Sequence, residues 1–540
     1  MQRLVLSVLL SVCALGAGSP LCAQRPPDWI TMGHDSQRSS WVRGDPKISI
    51  ATMGKPGFEL LWQIKLSNEA RQLLSLTPPA LFDFYIGYRG FRSLGFVAGS
   101  SEKIFTLDID LGQIEWEKNL ASSSGAATSL LCPGGMTSSL TRPTFAGYPP
   151  VGVNRGFGRV TPAKSGVGEP YEGAVTLKER ALQSSAPPSP ATATDRRTAP
   201  VINPYAPSPQ FVHAVTADGK FHALYASNGE EPNPPIPFLP PNANTRGLIV
   251  FDNTAYVATV NGCSGVDDGI WALNLDSHKV THWKSGSGVA GSAGFAVGPD
   301  GTLYVATDGG ELVALEPGTL TMKTSYKAGK ALTSSPVVFA YKDKDLIAVA
   351  TRDGQIHLLD SAAMDGAPLA TTPAFSAPDF AIGALASWQD SAETRWILAP
   401  AGGPVAAAAG FESGNGEVSK GAVVAFAVAE ENGAPALRPR WVSRELVSPV
   451  TPVIVNGVVF ALSSGEFRSS DPQLSAEQRA QRSSPAVLYA LDAATGKELW
   501  NSGSAITSFV HSGGLSAGGG RVYVGGHDGT LYAFGFKMEH

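Results

Sequence analysis

Charge is sparse in this sequence: Asp, Glu, Lys and Arg make up 16 % of its 540 residues, and no Lys/Arg-rich block stands out. With a net charge of −5 and a pI near 6.0 there is no basic field to hold a phosphate backbone, which argues against nucleic acid as a partner. Long apolar runs are missing as well. Past the first two dozen residues, none approaches the roughly 20 apolar residues that a membrane helix requires, so no transmembrane segment is expected. The early run, Leu4 to Leu15, follows Arg3 and gives way to small residues before Leu21-Cys22-Ala23-Gln24, the pattern of a secretory signal peptide over residues 1–23. The mature protein is expected outside the cytoplasm, periplasmic or secreted. Cysteine is as scarce as charge, with 4 in all. Val12 and Leu21, not small residues, precede Cys13 and Cys22, so the lipoprotein cleavage box is not met. Removing the signal leaves Cys132 and Cys263, which can form one bridge in an oxidising compartment or stay as two thiols.

What is abundant is punctuation. The 60 glycines and 40 prolines suit many short strands joined by tight turns and argue against an all-helical protein. Length alone suggests about three or four domains, but an internal repeat overrides that prior. The clearest unit runs Val453 to Val455, a turn at Asn456-Gly457, Val458 to Ala461, an insertion, Ala486 to Asp492, a turn closed by Gly496, and an outer strand ending at Trp500. It reads as one four-stranded blade. Phe96 to Asp108 with Gly112 and Trp116 repeats the pattern. So do Phe211 to Leu224, Leu248 to Trp283, Ala293 to Leu315, Pro336 to Asp360 and Ala384 to Trp441.

The eighth unit, Gly514 to Phe534, lacks its outer strand, while Phe58 to Ile64 reads as an outer strand carrying Trp62 with no inner strands before it. An N-terminal strand joining the C-terminal blade accounts for both loose ends and removes the exposed sheet edges of an open array. The expected fold is therefore all-β, a single propeller over residues 58–540 behind a lead segment at 24–57. Eight blades are the leading count; seven stay open because the second unit shows no recognisable outer strand. Between 133 and 210 the chain fills with Pro, Gly, Ser, Thr and Ala and reads as a long low-complexity insertion, with shorter ones at 401–420 and 466–484, disordered by default.

The segment Ala490-Leu491-Asp492-Ala493-Ala494-Thr495-Gly496-Lys497-Glu498-Leu499-Trp500 resembles the tryptophan-docking motif of the pyrroloquinoline-quinone (PQQ) repeat family, and Asp108 to Trp116 is a looser copy. Trp29 to Trp41 is similar to the stretch that precedes the first propeller strand in many members. The resemblance implies that Trp62, Trp116, Trp283, Trp441 and Trp500 wedge each blade against its neighbour, with Gly112 and Gly496 making the turns. Members that oxidise alcohols or sugars hold the quinone and Ca²⁺ on the ring axis with Glu, Asn and Asp, and many carry two adjacent bonded cysteines; adjacent cysteines are absent here, and no ligand set aligns. The same repeat serves without catalysis in the propeller lipoprotein of the outer-membrane β-barrel assembly machinery.

Sharper signals have plainer readings. Asp108-Ile109-Asp110-Leu111-Gly112 could suggest a calcium loop, but it sits at a repeat turn and lacks the later bidentate Glu. The Asp-Gly pairs at 218, 300, 353 and 528 are hairpin chemistry. His213, His222, His282, His357, His511 and His527 are dispersed without metal spacing, and Ser512 after His511 lacks a nucleophile elbow. The leading reading is a monomeric, non-enzymatic binding or scaffold propeller with a protein or glycan partner and no metal or cofactor of its own. The alternative is a quinone-dependent alcohol or sugar dehydrogenase with PQQ and calcium on the propeller axis.

Overall fold

In a computed structural model, which describes residues 28–87, 90–121, 128–149, 210–405, 407–511 and 514–537, the repeat grammar becomes geometry. The hairpin Val453–Val455/Val458–Ser463 turns at Asn456 and Gly457 with φ of 45° and 79°, the left-handed conformation that a two-residue turn needs. Both strands are buried throughout because each blade is covered on its two faces by neighbours. Hydrophobic clusters lie at the seams between blades; one joins blades 5 and 6, another blades 3 and 4.

The sheets form eight blades. Blade 1 comprises Ala80–Gly87, Gly90–Ala98, Lys103–Asp108 and Gln113–Asn119. Blades 3 to 7 follow in sequence from Thr245 to Asn501. In blade 8, Leu515–Gly518, Arg521–Gly525 and Thr530–Phe536 are completed by Phe58–Lys65, which pairs antiparallel with Thr530–Phe536. That pairing closes the ring.

Blade 2 departs from the sequence reading. Thr141 forms an antiparallel bridge to His213, and Pro143–Thr144 pairs parallel with Val250–Phe251 of blade 3. The residues around Thr141 thus stand where the other blades have their innermost strand, ahead of Phe211–Val215 and Lys220–Tyr225. Ile236–Pro237 supplies a short outer strand, which settles the count at eight. Residues 133–149 are part of the fold; 150–209, like the expected signal peptide with Cys13 and Cys22, and like Ser512, lie outside the described residues.

The shorter insertions are ordered, against the default expectation. Ser413–Gly414 returns to pair with the outer strand of blade 6. In the other, the helix Ala476–Arg482 opens on a Ser475/Gln478 capping box, and buried Arg479 donates to the carbonyls of Ser469, Asp471 and Leu474. Main-chain partners offset the ordering entropy that composition alone suggested could not be met.

Cys132 and Cys263 are bonded to each other, their Cα atoms 5.5 Å apart, tying the connection between blades 1 and 2 to the loop between the second and third strands of blade 3. Replacing both by serine is expected to cost about 2–4 kcal/mol. Urea unfolding of the oxidised and the double-serine proteins measures this. No helix among the described residues is long and apolar enough to cross a membrane.

Candidate functional site: the ring axis and its loops

The segment Trp29 to Val42 does not lead up to the propeller; it lies inside it. Its main chain, and at blade 3 the Thr31 side chain, is bonded to successive inner strands in ring order. Leu81 N–H of blade 1 donates to Trp29 O at 2.7 Å, and Arg142 N–H of blade 2 to Ile30 O at 3.0 Å. Thr31 Oγ1 donates to Leu248 O of blade 3 at 2.8 Å. Val297 N–H then meets Ser36 O, Val338 N–H meets Gln37 O, Ser387 N–H meets Ser39 O and Ile454 N–H meets Ser40 O, which takes the strap through blades 4, 5, 6 and 7. Trp41–Val42 finally pairs parallel with Ile454–Val455.

The polarity of this strap fits its surroundings, because inner strands that splay from the axis present unpaired main-chain groups. Arg38, 1 % exposed, donates from Nε to Phe295 O, from Nη1 to Met32 O and from Nη2 to Gly247 O, at 2.7–2.8 Å. Burial pushes its pKa down to about 10, opposed by Asp35. Burial opposes ionisation of Asp35 in turn, but His34, Arg43 and Ser39 outweigh it and hold the carboxyl well below the usual carboxylate range.

At the opposite ends of the inner strands, neighbouring blades are joined directly. Thr137 and Thr245 link blades 2 and 3, and Arg246 Nη1 donates to Gly291 O of blade 4 at 2.6 Å. Ala293 N–H donates to Ser335 Oγ of blade 5, Ser334–Ser335 pairs parallel with Gly383–Ala384 of blade 6, and Thr451 Oγ1 of blade 7 donates to Ala384 O. The approach is so close that a Cβ on Gly291 would stand 1.9 Å from Ser335 N. This part of the axis is lined by main chain, Gly, Ser, Thr and Ala, together with the buried Arg246 side chain, which has Asp308 and Asp268 as charge partners.

The tryptophans sit on the outer side. Trp62, Trp116 and Trp441 donate their indole N–H to Ile109 O, Ala226 O and Ala493 O of the following blade, and cover Gly112, Gly229 and Gly496. Trp283 packs against the seam of blades 3 and 4, and Trp500 meets Phe58 edge-on at 4.9 Å. Gly229 was not singled out from sequence; its SNG turn is the signal that could have found it.

The other motifs resolve into local roles. Asp108 Oδ1 accepts from the amides of Asp110 and Leu111, an ordinary turn, and Asp218, Asp300 and Asp528 do the same in their hairpins. His222 Nδ1 is 2.7 Å from Glu231 Oε1, His357 meets Tyr326 and His282 stacks on Trp271. His213 is pushed down to about 4 by burial, against a hydrogen bond involving His222. His511 Nδ1 lies 2.7 Å from Glu466 Oε1. Burial works against a charged Glu466, but His511 and Arg468 prevail and hold it down to about 2. Phe509 packs edge-on against His527. Among the described residues no group of three or more His, Cys, Asp or Glu side chains could hold a metal ion.

Three loops between second and third strands, and therefore on one face, are enlarged: the disulfide-tied 260–268, the segment 403–420, and 464–486 with its helix. Residues 267–481 and 484–537 match the family described as outer membrane protein assembly factor BamB. No curated protein sequence matches the chain. Among solved structures, the quinohemoprotein alcohol dehydrogenase from Comamonas testosteroni is similar at 14 % identity and a TM-score of 0.53, covering 96 % of this chain and 82 % of its own. A europium-containing methanol dehydrogenase gives 12 %, 0.51, 94 % and 98 %, and the computationally designed Ika8 protein 13 %, 0.50, 89 % and 100 %. At such identities these structures share the fold. Repeat, ring and family match together place the chain in the pyrroloquinoline-quinone-repeat β-propeller superfamily.

Proposed function

We propose that this protein is an exported, non-enzymatic propeller that holds a protein partner of the cell envelope against the face carrying the loops 260–268, 403–420 and 464–486. The observation that supports this most is the packing of the axis. Inner strands of blades 2 to 7 are bonded to one another through main chain, small side chains and Arg246 at one end, and the strap Trp29–Val42 occupies the other. A quinone with calcium needs a flat slot and convergent carboxylate and amide oxygens. The described residues do not fit that need: no cluster of metal-ligating side chains is assembled, and the cysteines bridge two distant connections. Enlarged loops on a rigid ring are where binding function concentrates, and the matched family is named for an assembly factor.

Isothermal titration of the purified protein with PQQ, with and without Ca²⁺, beside a dye-linked alcohol and sugar oxidation assay, tests this reading. No saturable heat and no turnover are expected. Calcium-dependent binding with turnover would replace the proposal by the dehydrogenase reading.

A further inference from the structure

The seam where the first blade meets the last contains a carboxyl group that the binding reading does not use. Asp83, on the innermost strand of blade 1, has both side-chain oxygens buried and without a hydrogen-bond partner among the described residues. It faces the hairpin Gly518–Arg521 of blade 8, and a Cβ on Gly519 would lie 3.1 Å from Asp83 Oδ1, closer than ordinary contact.

The charges around it are predominantly negative. Asp28 Oδ1 accepts from the Asp83 amide while its Oδ2 pairs with Arg142 of blade 2. Asp45, just beyond the strap, accepts from Gly520 N–H at 2.7 Å, and Lys47 lies against Gly520. Asp110, in the outer turn of blade 1, is paired with Arg521 of blade 8 at 2.7 Å, and Arg92 on the adjacent strand faces Asp108 and Glu115. The hydroxyl of buried Tyr523, beside Arg521, completes the surroundings. Arg521 is thus already engaged by one carboxylate, which leaves Asp83 among three others.

We propose that the seam between blades 1 and 8 is a pH-sensitive latch, closed while the Asp83 carboxyl carries a proton and loosened when it loses it. The outer pairing of Phe58–Lys65 with Thr530–Phe536 stays in place, so loosening is confined to the inner half of the seam. Burial first, then Asp28, Asp45 and Asp110, push Asp83 up to about 8, with Arg521 opposing. A group raised in this way contributes stability that is complete below its ordinary pKa of about 4 and lost as pH climbs through about 8.

Thermal melts of wild type and Asp83→Asn from pH 5 to 9 test the latch. The advantage of the variant is expected to grow with pH and level off above about 8. In wild type, amide protection at Gly518–Arg521, corrected for intrinsic exchange, is expected to fall by up to about tenfold per pH unit over that window, while Leu303–Ala306 of blade 4 is unaffected. This second readout stands even where the variant does not fold. A variant effect constant across pH, or hairpin protection in wild type that ignores pH, overturns the proposal.

Discussion

Replacing Arg38 with alanine is expected to cost about 3–5 kcal/mol of folding stability, an effect usually reserved for large core residues. The guanidinium serves carbonyls from three places, Phe295 of blade 4, Gly247 of blade 3 and Met32 of the strap itself. Removing it strands buried acceptors that cannot turn to water, and each orphan costs about 1–3 kcal/mol. Lysine should recover little, because a single ammonium cannot reach acceptors arranged around a planar fork. Urea unfolding followed by tryptophan fluorescence reads both variants. A loss below about 1 kcal/mol for alanine would mean that the strap is held by its main chain alone.

Trp441→Ala is expected to cost a further class of energy, about 3–5 kcal/mol, by emptying the seam between blades 6 and 7. The side chain is 1 % exposed, and its indole N–H donates to Ala493 O at 2.9 Å. Gly496 beneath it has φ of 70°, and a Cβ there would come within 2.4 Å of Trp441 Cε3. Gly496→Ala therefore meets both a strained backbone and a steric clash. Combined with Trp441→Ala the clash vanishes and the backbone term remains, so the double variant should be more stable than the sum of the singles by roughly 0.5–3 kcal/mol. Strict additivity would show that ring and glycine do not touch in solution.

The ring was legible in the sequence because each blade is written in local chemistry. Asn456-Gly457 demands its turn, and Val458 to Ala461 can only be a strand covered on both faces. Ring closure was legible from two incomplete ends. What escaped notice had partners distant in sequence. The inner strand of blade 2 is a few residues around Thr141, bracketed by Pro and Gly, and its partner His213 lies beyond the low-complexity stretch. The strap from His34 to Ser40 is polar, and polarity normally marks surface; its burial is intelligible once the inner strands of blades 3 to 7 offer main-chain groups to it. Asp83 was invisible for the same reason, since its neighbours come from the two ends flanking the strap, blade 1 and blade 8.

That geometry also imposes an order on the molecule's own assembly. The strap needs Ile454, the strand Phe58–Lys65 needs Thr530–Phe536, and Asp45 needs Gly520. A chain that emerges N-terminus first must therefore carry its earliest elements unsatisfied until almost everything else has appeared. Such distant pairings make folding slow and leave intermediates with open edges that invite aggregation. The last blade is in this sense a checkpoint: a chain cut short before residue 530 has no closed ring, and its strand Phe58–Lys65, made first, is left without the strand it pairs with.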